Sequence, residues 1–84
     1  MTRENQQRVE EEIRLRNWIR IEPGCSIPEE NVIVGLIYED MDCRPCKCKA
    51  HISDGKWIGD SDWLKGNYMA GCIAWRELGE YLLI

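Results

Sequence analysis

Eighty-four residues carry 11 Lys plus Arg against 15 Asp plus Glu, a formal charge of −4, with 44% hydrophobic and 31% charged content. That balance describes one small globular domain rather than a disordered chain. The length leaves no room for a TIM barrel or a dinucleotide-binding domain, and no apolar run approaches a membrane span.

Residues 2–17 read as a helix. Thr2 is placed to cap it, and Glu4–Arg8, Glu10–Arg14 and Glu12–Arg16 are acid-before-base pairs one turn apart, the favourable order. Its apolar stripe is thin, Val9 and Ile13 with Leu15 beside them, so most of the helix faces water. Trp18 to Ile21 reads as a short strand, and Pro23-Gly24 and Pro28 then break the chain.

Asn31 to Tyr38 is the strongest strand. Val32, Val34, Leu36 and Tyr38 share one face and Ile33, Gly35 and Ile37 the other. Two apolar faces predict a central strand covered on both sides, once by the helix and once by the C-terminal segment or a second subunit. Glu39 to Pro45 reads as a loop. Cys46 to Ser53 alternates, with Cys46, Cys48, Ala50 and Ile52 on one side and Lys47, Lys49, His51 and Ser53 on the other. Asp54-Gly55 is a two-residue hairpin signal that returns the chain into Lys56 to Ile58. Gly59 to Gly71 reads as a structured loop holding Trp63, Leu64 and Tyr68, with room for one helical turn. Cys72 to Leu78 is the last strand, with Ile73 and Trp75 on one face, before the apolar tail Leu82-Leu83-Ile84. The expected fold is α+β in a single domain spanning 1–84: one N-terminal helix packed on an antiparallel meander of four to five strands. With no Phe, the four Trp and three Tyr must supply the large core pieces.

The string Cys43-x2-Cys46-x-Cys48-x2-His51 holds the donor types of a zinc site, and its x2 spacing suits a knuckle turn. Strand alternation works against it. Cys46 and Cys48 fall on one face and His51 on the other, so a regular strand cannot bring them to one tetrahedral ion. A second ligand pair would have to come from the isolated Cys25 and Cys72. The favoured reading makes Cys46 and Cys48 small core hydrophobes, with no metal or cofactor. Cys43, in a turn beside Arg44, is the residue best placed to be a reactive thiolate. The odd count of five cysteines, with no leader segment read at the start, fits a reduced cytoplasmic setting.

Catalysis needs a positioned acid or base. The single histidine, His51, reads as a solvated surface residue. The acidic groups Glu39-Asp40-Met41-Asp42 and Asp60-Ser61-Asp62 lack calcium-loop spacing, and no Gly-rich phosphate loop is present. The expectation is therefore not an enzyme. The candidate binding residues are the basic set Arg44, Lys47, Lys49 and His51, the acids Asp60 and Asp62, and the loop aromatics Trp63 and Tyr68. Trp57 and Trp75 are assigned to the core.

Several short motifs resemble a family of small phage and prophage proteins, the domain of unknown function numbered five hundred and fifty-one. They are Trp18-Ile19, Ile27-Pro28, Asn31-Val32-Ile33-Val34, Ala50, Ser53-Asp54-Gly55-Lys56-Trp57 and Ile73-Ala74-Trp75-Arg76-Glu77-Leu78, so the likeness runs from Trp18 to about Tyr81. The chain departs from the pattern at Gly79-Glu80-Tyr81, where the family turns proline-rich, and in its Cys43 to Cys48 cluster. The family brings no catalytic residues. The resemblance implies a phage accessory protein in a bacterial cytoplasm.

The combined expectation is a stoichiometric binding protein, an inhibitor that occludes a protein of a bacterial defence system. The acid excess disfavours nucleic acid, whose phosphates need a basic face, and favours a basic protein surface met by the acidic loops. Two alternatives stay open. One is an oligomeric sponge holding a signalling nucleotide between Arg44, Lys47, Lys49 and the loop aromatics. The other is a zinc-stabilised structural phage protein. The doubly apolar strand and the tail are compatible with a homodimer.

Overall fold

The computed structural model describes residues 1–78, so the Leu82-Leu83-Ile84 tail lies outside the described residues. One helix, α1 (Arg3–Leu15), is followed by five strands: β1 (Ile19–Arg20), β2 (Val34–Glu39), β3 (Pro45–Ser53), β4 (Lys56–Gly59) and β5 (Cys72–Glu77). Thr2 caps α1 as its sequence position demands, accepting from the Asn5 amide at 3.1 Å. Asn17, at a φ of 56°, ends the helical stretch by turning into the left-handed region that asparagine tolerates.

The five strands form one antiparallel sheet, the α+β architecture expected, in the order β1-β5-β2-β3-β4. β2, β3 and β4 are consecutive neighbours, while β5 returns to lie between β1 and β2. That return places β2 at the centre, and Val34 through Tyr38 are all buried. Leu36 faces Cys48 on β3 and Trp75 on β5. With Val34, Tyr38 and Ala50 they form the larger core cluster, against which Ile19, Trp57, Leu64, Met69 and Cys72 pack. Across the sheet, Ile37, Ala74 and Trp18 form the smaller cluster beneath Ile13 of α1.

Among the described residues, the second cover of the sheet is the 60–71 loop, through Leu64 and Met69, with the segment after β1 beside it. Ser26 accepts from the Trp75 indole at 2.8 Å, tying that segment to the core. Gly59 lets the loop close over β4: a Cβ there would lie 2.6 Å from the Leu64 carbonyl oxygen.

Three local expectations shift. β2 begins at Val34, and Val32 and Ile33 are exposed. Asn31, at a φ of 65°, bends the chain there and spends its amide on the Ile52 carbonyl. Ile73 and Trp75 do not share a face. The β2–β5 register slips between Ile37 and Tyr38, so Ile73 joins the helix-side cluster and Trp75 the loop-side one. Trp18 lies just before β1, buried beneath α1.

Candidate functional site

The hairpin and its flanks sort the predicted residues onto separate surfaces. Lys47, Lys49 and His51 share the helix-side face of β3, as alternation requires. Lys47 reaches α1, where Glu12 accepts from its ammonium at 3.1 Å, from the Arg16 guanidinium at 2.8 Å and from the Trp18 indole at 3.0 Å. Burial pushes the Glu12 carboxyl up, but the bonds from Lys47 and Trp18 and the charge of Arg16 outweigh it and hold the pKa below its ordinary value. Glu12 is therefore an anionic hub pinning helix to sheet. Lys49 is exposed and has no ion pair among the described residues.

His51 departs from the solvated role read in the sequence. It is half-buried, and its Nδ1 donates to Asp60 Oδ2 at 2.6 Å, with both side chains about one-fifth exposed (20% each). The same stretch is sewn to β3 twice more. Asp60 donates its amide to the Lys49 carbonyl at 2.8 Å, and the buried Ser61 hydroxyl accepts the Lys49 amide at 2.9 Å. Asp60 and Ser61 thus fix the start of the loop, and of the acidic group 60–62 only Asp62 faces outward. We expect His51→Ala and Asp60→Ala each to cost about 1–2 kcal/mol in urea unfolding. The double variant should cost no more than the larger single loss, because both remove one interaction. Fully additive losses would show that the two residues act separately.

The turn between β2 and β3 is built around Asp40. Its Oδ1 accepts the amides of Asp42 at 2.9 Å and Arg44 at 2.8 Å. Those bonds, that from Arg44 first, hold its carboxyl below the usual range, so it stays ionised. Arg44 turns its guanidinium onto Asp42, 2.9 Å away, and lies 3.9 Å from Asp40. Cys43 takes the left-handed apex at a φ of 60° and is exposed.

Past β4, a 3-10 turn (Asp62–Leu64) presents Trp63 outward at 62% exposure, its indole donating to the Tyr38 hydroxyl at a long 3.4 Å. Tyr68 bridges to Ile58 beside β4 and is exposed, with the Lys56 ammonium 5.2 Å from its ring centre. Met41, fully exposed, stands at the tip of the neighbouring turn. Between turn and loop runs a groove of about 800 Å³ whose lining includes Tyr38, Asp42, Leu64, Tyr68 and Met69. Its acids are Asp40 and Asp42; Glu39, next to Tyr38 on β2, turns its carboxylate to the helix-side face. Met41, Leu64 and Met69 were missed as site residues in the sequence. The one available signal was an apolar Met41 inside an acidic turn, where a solvated loop has no use for it.

The structure does not bring the basic set and the aromatics into one site. Trp63 belongs with Tyr38 on the loop-side face, Lys47 and His51 lie on the helix-side face with their partners, and Arg44 is held by the β2–β3 turn. The cysteines follow the same logic. Cys46 and Cys48 point to the loop side, opposite His51, and no group of three His, Cys, Asp or Glu among the described residues is placed to hold a metal ion. All five cysteines are free thiols. Burial pushes the Cys48 thiol from the ordinary 9.0 to about 12 and Cys72 to about 11.

Those thiols set a pH dependence. Above pH 9 the unfolded thiols shed protons that the folded ones keep, so the unfolded state gains and stability falls. We expect the urea midpoint to drop between pH 8 and pH 10.5, and less steeply in Cys48→Ala, with little pH effect of these groups below about 8. A midpoint that rises with pH over that range would contradict the burial of both thiols.

Among the described residues, no helix is long and apolar enough to cross a membrane. No family model, curated protein or solved structure matches the chain, so its own surface carries the functional argument.

Proposed function

We propose that the chain is a non-enzymatic binding protein that acts stoichiometrically by occluding a basic surface on another protein, and that the 60–71 loop and the β2–β3 turn form its contact face. The observation that carries this is the outward display of Met41, Trp63 and Tyr68 on a small domain, with exposed Asp42 and Asp62 next to Met41 and Trp63 in the chain. Exposed Trp and Tyr are the side chains that most often anchor protein interfaces. Asp42 and Asp62, in a chain of net charge −4, favour a basic partner, although Lys56 lies over the Tyr68 ring. The cations expected to hold a nucleotide do not converge on the loop aromatics: Lys47 is paired with Glu12 of α1 on the helix-side face, Lys49 and His51 share that face, and Arg44 lies in the β2–β3 turn. That favours protein occlusion over nucleotide sequestration.

The resemblance of Trp18-Ile19, Ser53-Asp54-Gly55-Lys56-Trp57 and Ile73 to Leu78 to a phage family suggests only the setting, an accessory protein in a bacterial host; that its target is a protein of a defence system is our own proposal for a small binding protein in that setting. The test is plating efficiency of phage on bacteria that each carry one defence system, with and without this chain. Restored plating against one system, lost when Asp62 becomes Lys and kept when Arg14 on α1 becomes Glu, is the expected result. No restoration against any system would remove the anti-defence role.

A further inference from the structure

The groove between the 60–71 loop and the β2–β3 turn has an open strand edge as one wall. We infer that it takes an extended segment of the partner, added as a strand beside residues 67–69 and hydrogen-bonded to the main chain of Tyr68. This inference rests on the protein-binding reading of the face.

Residues 67–69 run antiparallel to β4. The Met69 amide donates to the Trp57 carbonyl and the Gly59 amide to the Asn67 carbonyl, each at 2.9 Å, with Tyr68 opposite Ile58 between them. In such a widely spaced pair the N–H and C=O of each residue point away from the other. Those of Ile58 face β3, where His51 is its neighbour. Those of Tyr68 face outward, and neither has a main-chain partner among the described residues. An edge of this kind is a template for another strand. The usual obstacles to pairing are missing from its sequence: Asn67, Tyr68, Met69, Ala70 and Gly71 carry no charge and include no proline. The groove lies beside this edge, with residues 67–71 lining it from one side and 38–42 from the other. Side chains of an added strand alternate between its two faces. Those on the face of Met69 turn toward the loop-side core cluster, where Leu64 and Met69 suit apolar groups. Those level with Tyr68 stand on the opposite face. A helix laid in the groove would strip water from the two Tyr68 groups and return no hydrogen bond. An extended segment replaces what it removes.

The test uses the full chain and a capped six-residue peptide in which leucine alternates with threonine. Two analogues carry N-methyl groups, one on the leucines and one on the threonines. Successive amides of a strand point to opposite edges, so one analogue loses its bonds to Tyr68 and the other keeps them. Titration followed by amide NMR should show binding of the parent peptide and of one analogue only. In the free chain the Tyr68 amide should exchange quickly with solvent and the Met69 amide slowly, and the parent peptide should slow Tyr68. Tyr68→Ala and Tyr68→Pro both remove the ring, and only the second removes the N–H. Proline suits an edge position whose N–H points outward, and circular dichroism confirms that each variant is folded. Tyr68→Pro should bind about two- to tenfold more weakly than Tyr68→Ala, the range of one hydrogen bond. If the proline variant does not fold, the N-methyl and exchange readouts decide. No binding of the parent peptide, equal binding of the two analogues, or equal affinity of the two folded variants would each overturn the inference. So would a Tyr68 amide already protected in the free protein, whether by the chain itself or by a second copy. If the peptide binds as expected but no phage plating is restored, the strand edge stands and the anti-defence role falls. If plating is restored but no peptide binds, the strand addition falls alone.

Discussion

Replacing Trp75 by Ala is expected to unfold the domain at 25 °C. The indole is 4% exposed and stands on β5 beside Leu36, in the loop-side cluster that also holds Cys48 and Val34. Its Nε1 donates to the Ser26 carbonyl at 2.8 Å, the tie that draws the segment after β1 onto the sheet. Emptying a buried tryptophan site costs about 3–5 kcal/mol, and the lost hydrogen bond adds about 1 kcal/mol. A domain of this size is stable by an amount on the order of 5 kcal/mol, so the two losses consume it. The check is the dispersion of the amide NMR spectrum together with a urea titration: the variant should show collapsed dispersion and no cooperative transition. Trp75→Phe keeps most of the ring volume and should retain a cooperative transition at a lower midpoint. A well-dispersed Trp75→Ala spectrum would mean that the core does not depend on this ring.

Replacing Trp63 by Ala should produce the opposite combination, a large loss of binding with little loss of stability. Trp63 is 62% exposed, and its one polar contact, to the Tyr38 hydroxyl, is long. Removing it costs the fold less than about 1 kcal/mol, as for most surface changes. If it anchors the interface, its loss costs about 2–4 kcal/mol of binding, roughly a thirtyfold to several-hundredfold fall in affinity. The paired measurement is urea unfolding and affinity for the partner recovered from the plating experiment. Met41→Ala should show the same pattern with a smaller effect, because methionine offers less rigid area. A Trp63→Ala variant that binds as well as the parent would move the interface away from the loop.

These two tryptophans also show where the sequence was readable. Leu36 lies in a strand apolar on both faces, so the central position of β2 followed from pattern, and the core role of Trp75 followed from a chain with no Phe to supply its large core pieces. Thr2 and the acid-before-base spacing placed α1 in the same way. What pattern could not supply was long-range. Nothing local to Cys72–Glu77 says that β5 pairs with β2 and β1. Nor does local spacing show that a bulge opposite Ile37 and Tyr38 sends Ile73 and Trp75 to different faces. The site suffered from the same limit. Exposure of Trp63 and Tyr68 was legible because both sit in a Gly- and Asp-rich loop. The partner of each charge was not. Lys47 lies 35 positions from Glu12, and His51 meets Asp60 only because the Asp54-Gly55 turn folds β4 back on β3. Asp60 and Asp62 look alike in sequence. One is spent on His51, and the other stays available to a partner.

The most direct test of the contact face places a photo-crosslinking amino acid at position 63, and separately at position 14 on the outer side of α1, in bacteria that carry the defence system identified by plating. The account predicts that light joins the position-63 variant to one protein of that system in a one-to-one adduct. The position-14 variant should give no such adduct, and reversing Asp62 in the position-63 variant should abolish it. Equal crosslinking from both positions, or an adduct from position 14 alone, would contradict the assignment of the 60–71 loop as the surface through which this protein acts.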